Sequence, residues 1–302
     1  MAEGLKAKAC RRTTVAALLA ITALSFGGGG LQLVSAAEGA PEALRVCADP
    51  NNLPFSNRKQ EGFENKIAEV FAKDLGVPLE YTWYPQRFGF ERNTLRKWLE
   101  EENRYSCDLV IGVSPDFEMG VATEPYFSSQ YVLVIRDDKA PDGVNTAADV
   151  LALTPQELSA LKIGVFVPGP GVDWLLRNGL MDTAAPYQIQ DGDPDAYAGR
   201  VLEQDLRRGE IDAAIIWGPI AGYFMKRNPD TEVKVLPMSS EPGIRFEYSI
   251  AMGVRYGEKE WKQTVQRLIE ENSEEIESIL QDYNVPLVET PVTRGVAERD
   301  DD

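Results

Sequence analysis

Histidine is absent from all 302 positions of the chain. That excludes Ser-His and Cys-His nucleophilic sites, histidine-ligated metals and an imidazole proton shuttle. It also excludes c-type heme attachment, which needs a C-x-x-C-H segment. Cysteine is scarce, with Cys10, Cys47 and Cys107 the three in the chain, too few for a structural zinc site of the usual Cys/His kind. Basic charge is short as well: 31 Lys and Arg stand against 48 Asp and Glu, for a net charge of −17. A chain this acidic repels phosphate, so nucleic acid and anionic membrane surfaces are poor partners. No metal and no cofactor is expected.

The N-terminal segment reads as an address. Lys6, Lys8, Arg11 and Arg12 precede an apolar run over residues 15–26, and Val34-Ser35-Ala36 supplies the small residues of a cleavage site. A membrane span needs about 20 apolar residues, and Gly27 to Gly30 interrupt this run. Residues 1–36 are therefore expected to be a signal peptide, which makes the protein periplasmic and free of the membrane after cleavage. Cys10 lies before the apolar run and goes with the leader. Cys47 and Cys107 remain, an even pair in an oxidising compartment, which leaves open one disulfide or two buried thiols.

From residue 42 onward, short apolar runs alternate with helical ones, the pattern of α/β layering. Strands are expected at 44–48, 79–83, 108–113 and 131–136, with a helix at 65–75 and a short one at 94–101. Pro141 and Gly143 mark a change of lobe. A second block follows, with strands at 162–167, 211–216 and 232–236 and helices at 171–178 and 193–209, the latter with Asp193 as N-cap and Pro194 at N1. Residues 247–255 alternate again and return the chain to the first lobe. An amphipathic stripe from Trp261 to Tyr283 packs there as a long helix. The expected organisation is a first lobe of 37–138 and 245–288, a second lobe of 139–244, and a disordered acidic tail over 289–302. Two crossings between two α/β lobes make a hinged cleft, with ligands placed at the carboxyl ends of the strands. In such a sheet the strands at 44–48 and 108–113 are parallel neighbours, which favours the Cys47–Cys107 disulfide.

This architecture resembles the type II periplasmic binding proteins over nearly all of residues 42–288. Gly112-Val113-Ser114-Pro115-Asp116 with Glu124-Pro125-Tyr126-Phe127, and Gly209-Glu210-Ile211-Asp212-Ala213, are similar to stretches that amino-acid binders carry. The departures are as informative as the match. The arginine that clamps a substrate carboxylate in that family falls at Phe117, and the aspartate that holds the ammonium falls at Trp217. Neither aromatic replaces the planar guanidinium fork or the carboxylate, so amino-acid binding is disfavoured. A narrower resemblance is carried by RVCADPNNLPFSN, GFENKIAEVFA, TWYPQRFGFERNTL, CDLVIGV and IIWGPIAGY, in that order across both lobes. Those blocks resemble the quinoprotein dehydrogenase-associated, solute-binding-protein-like family. The resemblance implies a periplasmic companion of a pyrroloquinoline-quinone (PQQ) dehydrogenase of methanol or other alcohols.

Candidate cleft residues from the first lobe are Asn51, Pro54, Phe55, Ser56 and Asn57, which follow the first strand and are also plain turn-formers. Trp217 faces them from the second lobe, unless it is a core residue. Glu64, at the start of a helix, is read as complementing the helix dipole. Tyr84, Phe88 and Phe90, with Arg87 and Arg92, make an aromatic-basic patch of interface composition. Three functions follow: an accessory protein that binds a PQQ dehydrogenase, a receptor of an ABC transporter for an apolar or aromatic small molecule, and an enzyme with paired carboxylates. Sequence places no two carboxylates at a catalytic separation, so the enzyme is the weakest of the three.

Overall fold

The computed structural model describes residues 41–189, 193 and 196–289. The expected leader, Pro194 and the acidic tail beyond residue 289 lie outside them. Strand β1 (Leu44–Ala48) leads into a small hairpin, β2 (Asn51–Asn52) and β3 (Ser56–Asn57), and then helix α1 (Phe63–Leu75). The helix starts where it does because Asn65 Oδ1 accepts the backbone N–H groups of Gly62 and Asn57, each at 3.1 Å. It stops at Gly76, whose φ of 68° suits a residue without a side chain. Its buried face carries Phe63, Ile67 and Phe71. Burial of each such side chain contributes on the order of 1.5–3 kcal/mol.

β4 (Leu79–Trp83) follows, then the single turn α2 (Phe90–Asn93) and a second hairpin, β5 (Trp98–Leu99) with β6 (Arg104–Tyr105). The expected helix over 94–101 is not formed. Trp98 pairs with Tyr105 and Leu99 with Arg104, and Asn103 takes a positive φ of 49° in the turn between them. β7 (Leu109–Val113), the short β8 (Val121–Ala122) and the long β9 (Phe127–Arg136) complete this block.

The second block runs through α3 (Pro155–Ala160), β10 (Ile163–Val167), α4 (Pro170–Arg177), β11 (Ala184–Gln188) and a π-helical segment, Val201–Leu206. This last segment stands where the helix over 193–209 was expected. It begins later, and the chain leaves it at Gly209 with a φ of 71°. β12 (Ala213–Trp217), α5 (Gly218–Arg227) and β13 (Val233–Pro237) come next, before β14 (Glu247–Val254). The C-terminal stripe is two helices, α6 (Lys259–Glu271) and α7 (Ser273–Asp282). Asn272 breaks it, turning its side-chain amide to Leu268 O and to Asp74.

The principal sheet has the order β11-β10-β12-β9-β14-β7-β1-β4. Its two central strands divide it. Phe127–Gln130 of β9 pair antiparallel with Ile250–Glu247 of β14, whereas Tyr131–Ile135 pair with β12 and Val132–Arg136 with β13. The far end of β14 pairs with β7. Residues 131–136, expected to close the first block, thus belong to the second half of this sheet, and Leu133 and Ile135 sit in that half's core with Ile163, Ile215 and Phe246. The first core gathers Leu44, Val46, Phe63, Phe71 and Leu109 with Val265, Leu268, Ile276 and Leu280 from α6 and α7. β1 lies between β4 and β7, parallel to both, and Cys47 and Cys107 form a disulfide there with Cα atoms 5.4 Å apart.

Candidate functional site

The parallel strands of both halves end at one cavity of about 590 Å³. On the first side β1 gives way to Asp49. Its carboxylate accepts the backbone N–H of Asn51 at 2.7 Å and of Gln86 at 2.5 Å, tying two loops together. The next hairpin sorts the expected cleft residues into two groups. Asn51 and Phe55 line the cavity. Pro54, Ser56 and Asn57 are framework and do not line it. The Pro54 carbonyl accepts from Phe63 at the head of α1, Ser56 donates to Asp49 O at 2.9 Å, and the Asn57 amide exchanges hydrogen bonds with Glu61. Phe55 packs edge-on against Phe63 at 5.3 Å and also touches the second-half core around Ile216 and Ile220, so one ring joins both halves.

From the second side come Phe166 and Tyr187, next to each other with centroids 5.9 Å apart, and Trp217 at the end of β12. Trp217 stands against Tyr131 at 5.3 Å and Tyr248 at 6.0 Å, rings contributed by the two crossing strands. Tyr187 donates its hydroxyl to Asp205 Oδ2 at 2.6 Å. Burial, and then this carboxylate, push the phenol well above its ordinary range. Arg87 of the first half reaches over the cavity and donates to the carbonyl of Asp193, whose carboxylate pairs with Arg200 at 3.3 Å.

The aromatic-basic patch divides as well. Phe88 is 85 % exposed, but Phe90 is only 3 % exposed and packs in the core around the disulfide. Tyr84 is half-buried against that same core. Phe90 is therefore a core residue, because the turn of α2 directs it into the cluster that also holds Leu95 and the disulfide cysteines. Phe117 does not line the cavity. Its ring lies against the β14 backbone, 2.8 Å from where a Cβ on Gly253 would stand.

Sequence reasoning missed Tyr131, Tyr248, Phe166 and Tyr187. Phe166 and Tyr187 stand at the carboxyl ends of parallel strands, a position that marks ligand sites in open sheets, so that signal was present. It also missed the environment of Glu64. This carboxylate lies beneath the cavity floor at Gly112, with Oε1 2.3 Å from the place a Cβ on that glycine would occupy. Burial, and then the charge of Asp49, push Glu64 well above the usual carboxylate range. The buried Tyr126 hydroxyl nearby has no hydrogen-bond partner among the described residues.

A cavity between two α/β halves linked by a pair of crossing strands defines the periplasmic binding protein class, type II. An ancestral cationic amino acid solute-binding protein superposes with a TM-score of 0.58 at 17% identity over 80% of this chain and 96% of its own, which shows the fold alone. No family profile matches the sequence. The periplasmic binding protein XoxJ from Methylobacterium extorquens AM1 is 33% identical, with a TM-score of 0.64 over 82% of this chain and all of its own. Protein MoxJ of Methylorubrum extorquens is 27% identical over 92% of this chain and 97% of its length. The chain belongs to the MoxJ/XoxJ family of periplasmic binding protein homologues. Among the described residues no helix is long and apolar enough to cross a membrane.

Proposed function

We propose that this protein is a non-catalytic periplasmic accessory that binds, or activates, a PQQ-dependent alcohol dehydrogenase. Its membership of the MoxJ/XoxJ family over nearly the whole chain carries this reading, because that family resemblance implies a dehydrogenase companion. The cavity supports it from the other side. The two positions expected to hold a zwitterion's charges are Phe117 and Trp217, the first packed away from the cavity and the second part of an aromatic wall. The Cys47–Cys107 bond suits an oxidising compartment. Phe88, 85 % exposed and next in the chain to the cavity-lining Arg87, is the proposed anchor for the partner, since solvent-exposed aromatics next to arginine have the composition of interface hot spots.

The test is affinity capture of the tagged, exported protein from native periplasm, with mass spectrometry of what is retained. A PQQ dehydrogenase enriched over an unrelated binding protein used as bait is the expected result. Its absence, with the bait folded and exported, contradicts the reading.

A further inference from the structure

The cavity has a chemistry of its own, independent of any dehydrogenase. Its rings approach from three directions: Phe55 from the first half, Phe166 and Tyr187 from the second, and Tyr131, Trp217 and Tyr248 from the crossing strands and the end of β12. Rings of this kind offer flat apolar faces to a planar guest, and ring-on-ring contacts add to what burial of apolar area alone supplies. The volume of about 590 Å³ falls within the range of pockets that enclose small molecules, roughly 300–1,000 Å³.

The charges decide what kind of ring fits. Four charged side chains line the cavity among the described residues: Asp49, Asp205, Arg87 and Arg200. Each is already engaged by the protein. Asp49 accepts two backbone N–H groups, and Asp205 accepts the Tyr187 hydroxyl. Arg200 pairs with the Asp193 carboxylate, and Arg87 donates to the Asp193 carbonyl. A guest carboxylate or ammonium has to compete with these partners, and it loses its own hydration on entry with no free counter-charge among the described residues to offset that loss. An uncharged ring system meets neither cost.

We infer that the cavity is a binding site for a neutral, planar aromatic molecule and that it rejects carboxylates and zwitterions. Phe55 and Phe166 supply the stacking faces from opposite halves. Ligand binding therefore draws on both halves at once, as it does wherever a cavity lies between two linked lobes.

Naphthol and naphthoate share one ring system and differ in charge at neutral pH, so they are matched probes. Calorimetry with the mature, oxidised protein should show saturable one-site binding of naphthol, with naphthoate and tryptophan each at least about tenfold weaker. Phe166→Ala should weaken naphthol about fivefold or more while leaving the circular dichroism spectrum unchanged. Naphthoate or tryptophan binding as tightly as naphthol overturns the inference. So does the lack of saturable naphthol binding by the wild-type protein, a comparison that stands even if the variant misfolds. Neither outcome bears on the dehydrogenase reading, which is tested with the dehydrogenase itself.

Discussion

Gly222 of α5 and Asn284, just past α7, meet backbone to backbone: a Cβ at position 222 would stand 1.8 Å from the Asn284 carbonyl oxygen. This close approach joins the second half to the C-terminal segment that packs on the first. Tyr223 stacks on Tyr283 at 5.7 Å, and the Tyr283 hydroxyl donates to Glu61 O at 2.5 Å. Ser129 of the crossing strand donates to Pro286 O at 2.6 Å. The segment after α7 thus braces the crossing strands from outside the cavity. Because the neighbour is backbone and not a flexible side-chain end, Gly222→Ala forces the chain apart. Overpacking of this kind costs about 1–3 kcal/mol. Urea unfolding should register a loss in that range, and a change within about 0.5 kcal/mol would show that the brace yields freely.

The disulfide lends itself to a second stability test. Cys47 and Cys107 are 60 residues apart, both buried, on or beside parallel neighbouring strands. Closing a loop of that length in the unfolded chain contributes about 4 kcal/mol in the chain-entropy model. The Cys47→Ala, Cys107→Ala double variant should lose stability of that order in denaturant titration. A loss below about 1 kcal/mol would contradict the loop-closure argument.

Glu64 predicts a pH dependence. Its folded-state pKa is raised, by burial first and Asp49 second, so the folded protein holds the proton where the unfolded chain has released it. No penalty exists below the unfolded value, near 4.5. As pH rises through that value toward the folded one, stability falls, by up to about 1.4 kcal/mol per pH unit. Glu64→Gln has no proton to lose there. The variant should gain on wild type as pH rises from about 5.5 to 8, because its curve lacks this component. A stability difference that stays constant with pH would show that Glu64 ionises as freely in the folded protein as in the unfolded.

Much of the fold was legible because buried strands announce themselves. Leu44–Ala48, Leu109–Val113 and Ile163–Val167 are apolar runs between turn-formers, and they form strands as expected. Strand allegiance was not legible. Residues 131–136 read as an apolar strand whichever sheet they join, and only the antiparallel pairing with β12 and β13 places them in the second half. The stripe from Trp261 to Tyr283 kept its period across Asn272, where a side-chain amide competes with the helix for the Leu268 carbonyl. The candidate site was legible in part for a similar reason. A loop after a strand is recognisable, but whether Phe55 or Ser56 faces the cavity depends on the turn of a two-residue hairpin, and Phe90 and Phe88 differ in burial although they are two residues apart. Tyr131 and Tyr248 were hidden because their shared role arises only where the two crossing strands lie side by side.

Under the proposed function, a PQQ dehydrogenase is the partner and Phe88 anchors it. The direct measurement is isothermal calorimetry of the mature protein with an intact PQQ dehydrogenase at low salt, using wild type and Phe88→Ala. Phe88 is exposed, so its truncation leaves the core in place. Truncating an aromatic anchor commonly costs about 2 kcal/mol, and the account predicts measurable wild-type binding that weakens at least about tenfold in the variant, or 1.4 kcal/mol. Equal affinity of wild type and Phe88→Ala would reject this surface, and no binding by the wild-type protein would contradict the accessory function itself.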